Sequence, residues 1–324
     1  MRYWKSFIFS AILIAISGVL YAADIRVGLF YGANVQSVVF SVVEGEYILS
    51  GDGRQIAVVR RSTMLHIEIS GSGLVVSDTL QTWGNFVKLE FKGVSTNNVF
   101  LVKPVFPSLP SKESEDYLSI VPGDKSLLMI NILDLEKYIP GTVEAEGGSN
   151  AGIEYYKAQA VLTRTFAIKN FTRHATRGFN LCDGVHCQAF KGKSHMNRLI
   201  YDAVNQTVNK ILVDEAGNPI MTAYHANCGG LTCSASMAWN KDLPYLTSVH
   251  DPFCAGSSQR NWVKTIPLKD WNNYLSGKGV PVGLQNIQAM TGAVRQKFLY
   301  PESQKVSMSM IRDDFKLKSS FFTV

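Results

Sequence analysis

The chain is expected to be α+β, with a β-rich N-terminal domain followed by a mixed α+β domain built around one long helix. Three observations predict this. Between Ile25 and Val102, short runs of Val, Ile, Phe and Leu alternate with turn residues. Residues 153–171 contain neither Gly nor Pro and carry apolar side chains at helical spacing. The length of 324 residues, 46% of them apolar and 18% charged, suits about two domains with real cores and excludes intrinsic disorder.

Arg2 and Lys5 precede an apolar run over 7–20 that ends at Tyr21-Ala22-Ala23, which reads as a secretory signal peptide over 1–23. The run falls short of the roughly 20 residues that span a bilayer as a helix. No Cys stands near the cleavage point, which argues against a lipid anchor. The expected location is the periplasm, cell envelope or exterior, where disulfides persist.

Residues 24–103 are expected to form a β-rich accessory domain, with hairpin turns at Glu44-Gly45 and Gly51-Asp52-Gly53. It concentrates no His, Cys or paired carboxylates. Pro104, Pro107 and Pro110, followed by a Ser-Lys-Glu-Ser-Glu run, predict a linker over 104–116. The second domain, 117–324, opens with the strand-like SLLMINILD and a short helical turn at LEKY. The long helix follows from Ile153, with Tyr155, Ala158, Val161, Leu162, Thr165, Phe166 and Ile168 as its periodic residues and Ser149 or Asn150 as N-cap. A second helix is predicted over 196–209, then a hairpin over 210–225 turning at 216–219.

The formal net charge of +6 is small and spread along the chain, so no nucleic-acid partner is expected. The absence of GxxxxGK[ST] and of GxGxxG after a strand argues against a nucleotide ligand. Glu146 stands just before the long helix and is followed by Gly147-Gly148, which let backbone or ligand approach closely. An acid at a helix start is also favourable in itself. Glu144 would share its side of an extended segment, as a working pair or as two unrelated surface acids. The five cysteines admit three fates. Cys182, His186 and Cys187 with His174 could supply tetrahedral zinc, although the spacing fits no standard motif. The same cysteines could pair as disulfides or stay free, and an odd count leaves one over.

Four blocks, 134–170 with KAQAVLTRTFA, HCQAFKG at 186–192, AYHANCGGLT at 223–232 and LPYLTSV at 243–249 with DPFC after it, together resemble the SpoIID/LytB domain of bacterial cell-wall proteins. The resemblance implies binding and cleavage of peptidoglycan glycan strands, stripped of stem peptides, by a lytic transglycosylase reaction. Glu146 aligns with the glutamate of a V-x-x-E-M-P pattern, from which Gly147-Gly148 depart. An ordinary glycosidase needs two carboxylates. A transglycosylase uses the sugar's own C6 hydroxyl as nucleophile, so one acid suffices, provided Glu146 starts out protonated, as a partly desolvated pocket would favour.

The resemblance also places Arg164, His186, Gln188, Tyr224, His225, Asn227 and Thr232 around the glycan groove, with a buried ion pair as the other reading of Arg164. It adds Lys157 and Gln159 on the helix, and Trp239 and Tyr245 as stacking aromatics. No cofactor is required, but some relatives suggest zinc at the segment aligned with His186-Cys187, and a structural zinc on His174, Cys182, His186 and Cys187 has a disulfide as its competing reading. The alternative functions are a non-catalytic enhancer partnered with a cell-wall amidase and a zinc hydrolase.

Overall fold

The computed structural model describes residues 24–195, 197–258, 261–280, 298–299 and 306–322. The expected leader lies outside the described residues. The chain divides into two compact units, Met1–Thr222 and Ala223–Val324. Among the described residues no helix is long and apolar enough to cross a membrane.

The first unit is α+β, twelve of its described strands preceding its helices and a short thirteenth following the long helix. The strands are β1 (Asp24–Leu29), β2 (Ser37–Glu44), β3 (Tyr47–Gly51), β4 (Arg54–Val59), β5 (Met64–Ser70), β6 (Gly73–Ser77), β7 (Thr82–Phe86), β8 (Leu89–Gly93), β9 (Val99–Phe106), β10 (Lys112–Glu115), β11 (Tyr117–Pro122), β12 (Leu127–Asp134) and β13 (Leu181–Cys182). One sheet runs β13-β1-β12-β11-β8-β3-β4 and the other β10-β9-β2-β5-β6-β7. Pairing is antiparallel except where β13 lies parallel to β1. Phe40 and Phe100 of the second sheet meet Phe91 and Tyr47 of the first, the Phe40 and Phe91 rings stacking at 3.9 Å. Each such fully buried side chain stabilises the sandwich by about 1.5–3 kcal/mol.

Two expectations need correcting here. Glu44-Gly45 is a crossing between sheets, because β2 pairs with β5 and β9 whereas β3 pairs with β4 and β8. Gly45, at φ +74°, leaves room for Asn98, whose Oδ1 would sit 2.5 Å from a Cβ there. Asp52-Gly53 does turn a hairpin, joining β3 to β4. The predicted linker 104–116 is also largely paired strand. Lys112–Glu115 pairs with Val99–Val102, and the buried Ser114 hydroxyl donates to Asn131 of β12. Pro104 is tolerated because it lies beyond the stretch facing β10, beside a register shift between Ser37 and Val38. The compact boundary falls after Thr222, and β1, β3, β4 and β8, which were expected in a separate domain, share a sheet with β11 and β12.

Three helices complete this unit: α1 (Leu135–Gly147), α2 (Ile153–Lys169) and α3 (Arg198–Gln206). The expected short turn at LEKY is a helix of 13 residues that runs through Pro140. Asp134 caps it, accepting from Glu136 N at 2.7 Å. Burial of Tyr138, Ile139, Thr142 and Val143 outweighs the hydrogen bond that Pro140 cannot make. The buried residues of α2 are Tyr156, Gln159, Ala160, Thr163, Arg164, Thr165 and Ala167, whereas Tyr155 is 43% exposed and Ile168 36%. Of the periodic residues Thr165 is buried and Val161, Leu162 and Phe166 are half-buried, so the predicted face overlaps the buried one only in part. The N-cap of α2 is Gly152, not Ser149 or Asn150, and the Tyr156 hydroxyl closes the entry by accepting from Ala151 N and donating to Gly148 O. The segment predicted as a hairpin over 210–225 keeps a tight turn, where Val213 faces Pro219 and Asp214 accepts from the Ala216 and Asn218 amides.

In the second unit, Leu231 bridges His250 in antiparallel sense, followed by α4 (Ala235–Trp239) and a 3-10 turn at Pro252–Gly256. Then come α5 (Leu268–Gly277), the pair β14 (Phe298–Leu299) and β15 (Val306–Ser307), and α6 (Met308–Asp314). Trp271, Leu275, Val280, Val306, Met308 and Ile311 form its small core.

Candidate active site

Glu146 lies in the last turn of α1, not before the start of α2. Glu144 and Glu146, two apart on a helix, point to different sides, so the extended pair does not form. An acid at this end faces the unfavourable pole of the helix dipole, where stability alone would place a cation. Its carboxylate is half-buried and takes a hydrogen bond from Ala189 N to Oε1 at 2.6 Å. Glu144 instead accepts from His195 N at 3.2 Å. Gly148 ends the helix at φ +71°, its N–H reaching Glu144 O at 3.0 Å. Proline, with φ near −65° and no N–H, can do neither, so the glycine pair builds a terminus of its own.

The loop that supplies Ala189 is anchored at several points. Asp183 is buried and accepts from Phe30 N at 2.6 Å, from Tyr31 N at 3.3 Å and from Lys112 Nζ at 2.5 Å. Lys112 also donates to Phe190 O at 2.7 Å. The chain then passes so close to α1 that a Cβ on Gly141 would stand 1.8 Å from Gly192 O. Gly192, at φ +101°, in turn abuts Glu113 O of β10. The polar 112–115 stretch pairs as a strand and so seats this loop, a role its composition did not show.

The same loop gathers a sulfur and nitrogen cluster. The ligand atoms of His174, Cys182, His186 and Cys187 lie within 4.8 Å of one another. Cys182 Sγ is 3.7 Å from His186 Nδ1, and Cys187 Sγ is 3.6 Å from the same atom and 3.4 Å from His174 Nε2. A tetrahedral zinc with ordinary bond lengths sets sulfur and nitrogen ligands about 3.6 Å apart, so the donor set fits that ion. All five cysteines are unbonded in this structure, so it is the spacing of these sulfurs to ring nitrogens that favours an ion here. Pairing with β1 positions Cys182 opposite Gly28. A side chain at 28 would strike the Phe179 ring at 2.9 Å, and on that ring His174 stacks at 4.7 Å. Burial, then the charges of His186, Arg173 and Arg177, hold the His174 imidazole below its ordinary pKa, in the neutral form a metal needs. Burial pushes the Cys187 thiol up to about 11.

The remaining candidates are divided. Arg164 is buried and corrects the glycan-contact expectation: Nε and Nη2 each meet Glu136 at 2.7 Å, and Nη1 donates to Lys210 O at 3.0 Å. Its donor fork is spent inside the unit. Gln188 is buried too, accepting from Tyr138 Oη at 3.3 Å, with its Nε2 unpartnered. Lys157 pairs with Glu154 at 2.7 Å, and Gln159 donates to Tyr155 Oη at 3.2 Å. Tyr224, His225, Asn227, Thr232, Trp239 and Tyr245 belong to the second unit. There Thr232 Oγ1 accepts from Val249 N at 2.7 Å, and Asn227 Oδ1 from Gly229 N at 2.8 Å. His225 and Asn227 line a cavity with Trp262, Lys318 and Phe321. Sequence reading missed Lys112, Asp183 and the Ala189 amide; the glycine inside β1 was the visible hint of a close approach.

The helix-terminal acid and the Cys/His cluster both fall within residues 123–213, which match the SpoIID family model, described as stage II sporulation protein. This segment of the first unit is therefore similar to the SpoIID family. An uncharacterized protein of Brachyspira hyodysenteriae is 30% identical over 164 residues, covering 50% of this chain and 44% of that protein. Stage II sporulation protein D of Bacillus subtilis is 29% identical over 161 residues, 45% of this chain and 47% of that protein. Its Bacillus amyloliquefaciens counterpart is 27% identical over 209 residues, 59% and 60% respectively. The chain thus spans about half the length of the curated relatives it matches. The family match stops short of the blocks at 223–232 and 243–249.

Proposed function

We propose that this protein is an exported lytic transglycosylase acting on peptide-stripped peptidoglycan glycan strands, with Glu146 as its single acid and base. The observation that carries the reading is the half-buried Glu146 carboxylate, held at the unfavourable end of α1 by the Ala189 amide. Oε1 accepts from that amide, which leaves Oε2 as the oxygen for proton transfer. The proton goes to the glycosidic oxygen as the bond to the N-acetylmuramic acid C1 breaks. The C6 hydroxyl of the same sugar then attacks C1 and closes a 1,6-anhydro ring, and the carboxylate takes the hydroxyl proton. No water enters the products. Kinship with stage II sporulation proteins agrees with a task in cell-wall remodelling. The apolar leader at 1–23 would deliver the chain to the periplasm, envelope or exterior.

Zinc held by His174, Cys182, His186 and Cys187 would be structural, since four protein ligands leave no open position. It would lock the loop that carries Ala189 against α1. In the second unit, exposed His225 would be open to a glycan.

The test is incubation of the purified protein with denuded glycan strands and mass analysis of the ends released. Wild type should yield 1,6-anhydro ends, and Glu146→Gln should be slower by on the order of 10²- to 10⁴-fold. Ordinary reducing ends would indicate a hydrolase. No release by either protein, with stimulation of a cell-wall amidase by both, would replace this reading with the enhancer role.

A further inference from the structure

In the second unit, Cys228 Sγ and Cys254 Sγ stand 3.1 Å apart, closer than two unbonded sulfurs rest and closer than two thiolates sharing a zinc ion. We propose that Cys228 and Cys254 form a disulfide that ties the Asn227–Gly230 loop to the 3-10 turn at Pro252–Gly256. This goes beyond the proposed activity and does not depend on it. Main-chain groups hold both sulfurs in place: Cys228 N donates to Cys254 Sγ at 3.2 Å, and Gly230 N to Cys228 Sγ at 3.3 Å. The flanking backbones are already joined, Asp251 N donating to Gly230 O at 3.0 Å. Closing the bond therefore requires a small side-chain movement and no rearrangement of the chain.

The competing use of these sulfurs is a metal site, since His225, Cys228 and Asp251 converge within 4.8 Å. Cys254 Sγ approaches Cys228 and Asp251 but is not grouped with His225, and two sulfurs at 3.1 Å are too close to be ligands of one zinc ion. The set differs in this respect from His174, Cys182, His186 and Cys187, which converge as four. With Cys182 and Cys187 assigned to the metal and Cys228 and Cys254 to each other, Cys233 is the odd thiol of the five.

The oxidant is a disulfide compound of the glutathione or thiol-oxidoreductase class. Cys254, as thiolate, attacks one sulfur of that disulfide and expels one thiolate. Cys228 then attacks Cys254 Sγ in the mixed disulfide, expels the second thiolate and loses its proton. Two protein thiols are oxidised and one external disulfide is reduced to two thiols. Asp251 Oδ2, 3.2 Å from Cys228 Sγ and 3.6 Å from Cys254 Sγ, is placed to relay the departing protons to solvent. Cys228 is buried and Cys254 half-buried, so Cys254 is the more accessible sulfur and makes the first attack.

The test uses the full-length protein, equilibrated with oxidised glutathione at neutral pH, quenched with a maleimide and digested with trypsin without reduction. The expected product joins the peptide over 211–241 to that over 242–260, lighter than the two together by two hydrogens and separated by reductant. Because 211–241 contains both Cys228 and Cys233, the experiment is repeated on Cys233→Ser, where the cross-link should persist. Cys254→Ser should leave the Cys228 thiol open to the maleimide once the chain is denatured. Maleimide on both Cys228 and Cys254 after oxidation, a cross-link that disappears in Cys233→Ser, or protection that a chelator abolishes would overturn the proposal.

Discussion

The two sulfur sites use the same residue types toward different ends. Around Cys182 and Cys187 the sulfurs face ring nitrogens at 3.4–3.7 Å, spaced as ligands around an ion. Around Cys228 and Cys254 the sulfurs face each other at 3.1 Å and a carboxylate at 3.2 and 3.6 Å, spaced for a bond between themselves. The cause lies in the scaffolds. In the first unit, sheet pairing of β13 and the stacked Phe179 and His174 rings hold four donors apart. In the second, two loops joined at Leu231 and His250 bring two sulfurs together with no ring between them. Cysteine chemistry here follows from which neighbours the backbone delivers, not from the cysteines.

The sharpest break in the comparison is Cys187→Ala. It should abolish stoichiometric zinc, measured by elemental analysis of the purified protein, and release the Ala189 loop, cutting glycan cleavage to near background. Cys254→Ser should leave zinc at full stoichiometry. A chelator should likewise strip the metal while the Cys228–Cys254 cross-link survives, and a reductant should do the opposite. If either reagent disturbs both sites, the distinction fails.

Next in size is Lys112→Met. It leaves the buried Asp183 carboxylate without its cation and should cost about 3 kcal/mol by denaturant unfolding. Reduction of the Cys228–Cys254 bond should cost about 2 kcal/mol by the same measurement, at the low end for a cross-link that closes a loop of this length.

The pH dependence is smaller. The Cys187 thiol, raised to about 11 by burial, is protonated near pH 7 when no metal is bound, and the bound form is the thiolate. Binding therefore releases its proton, so zinc affinity should rise with pH and fall about tenfold per pH unit on acidification for each proton displaced. His174, held below its ordinary value, adds no proton release near neutrality. Titration with a competing zinc indicator between pH 6 and 8 checks the slope, flat affinity being the contrary result. The smallest effect belongs to Cys233→Ser, expected within about 0.5 kcal/mol of wild type and silent at both sites.

Much of the fold and part of the site were legible in the residues. The strand runs, the long helix from Ile153 and the types of the four converging His and Cys side chains follow from local pattern and residue type. Pro140 misled because it reads as a helix stop, while burial of Tyr138, Ile139 and Val143 carries α1 past it and moves Glu146 from a loop to a helix end. The 112–115 stretch misled because polar side chains read as a linker, while its backbone pairs with β9 and its carbonyls seat the loop at Gly192. Arg164 read equally well as a glycan contact until Glu136, 28 residues away, took its guanidinium.

By itself the sequence determined the α+β class, the order of strands before helices and the kinds of donor available, because hydrophobic period, turn chemistry and side-chain type act over a few neighbouring residues. Tertiary structure alone decided which sulfur meets which partner, where Glu146 points and that Lys112 anchors Asp183, 71 residues on. Such meetings depend on how sheets and helices pack across long stretches of chain, and no local preference encodes them.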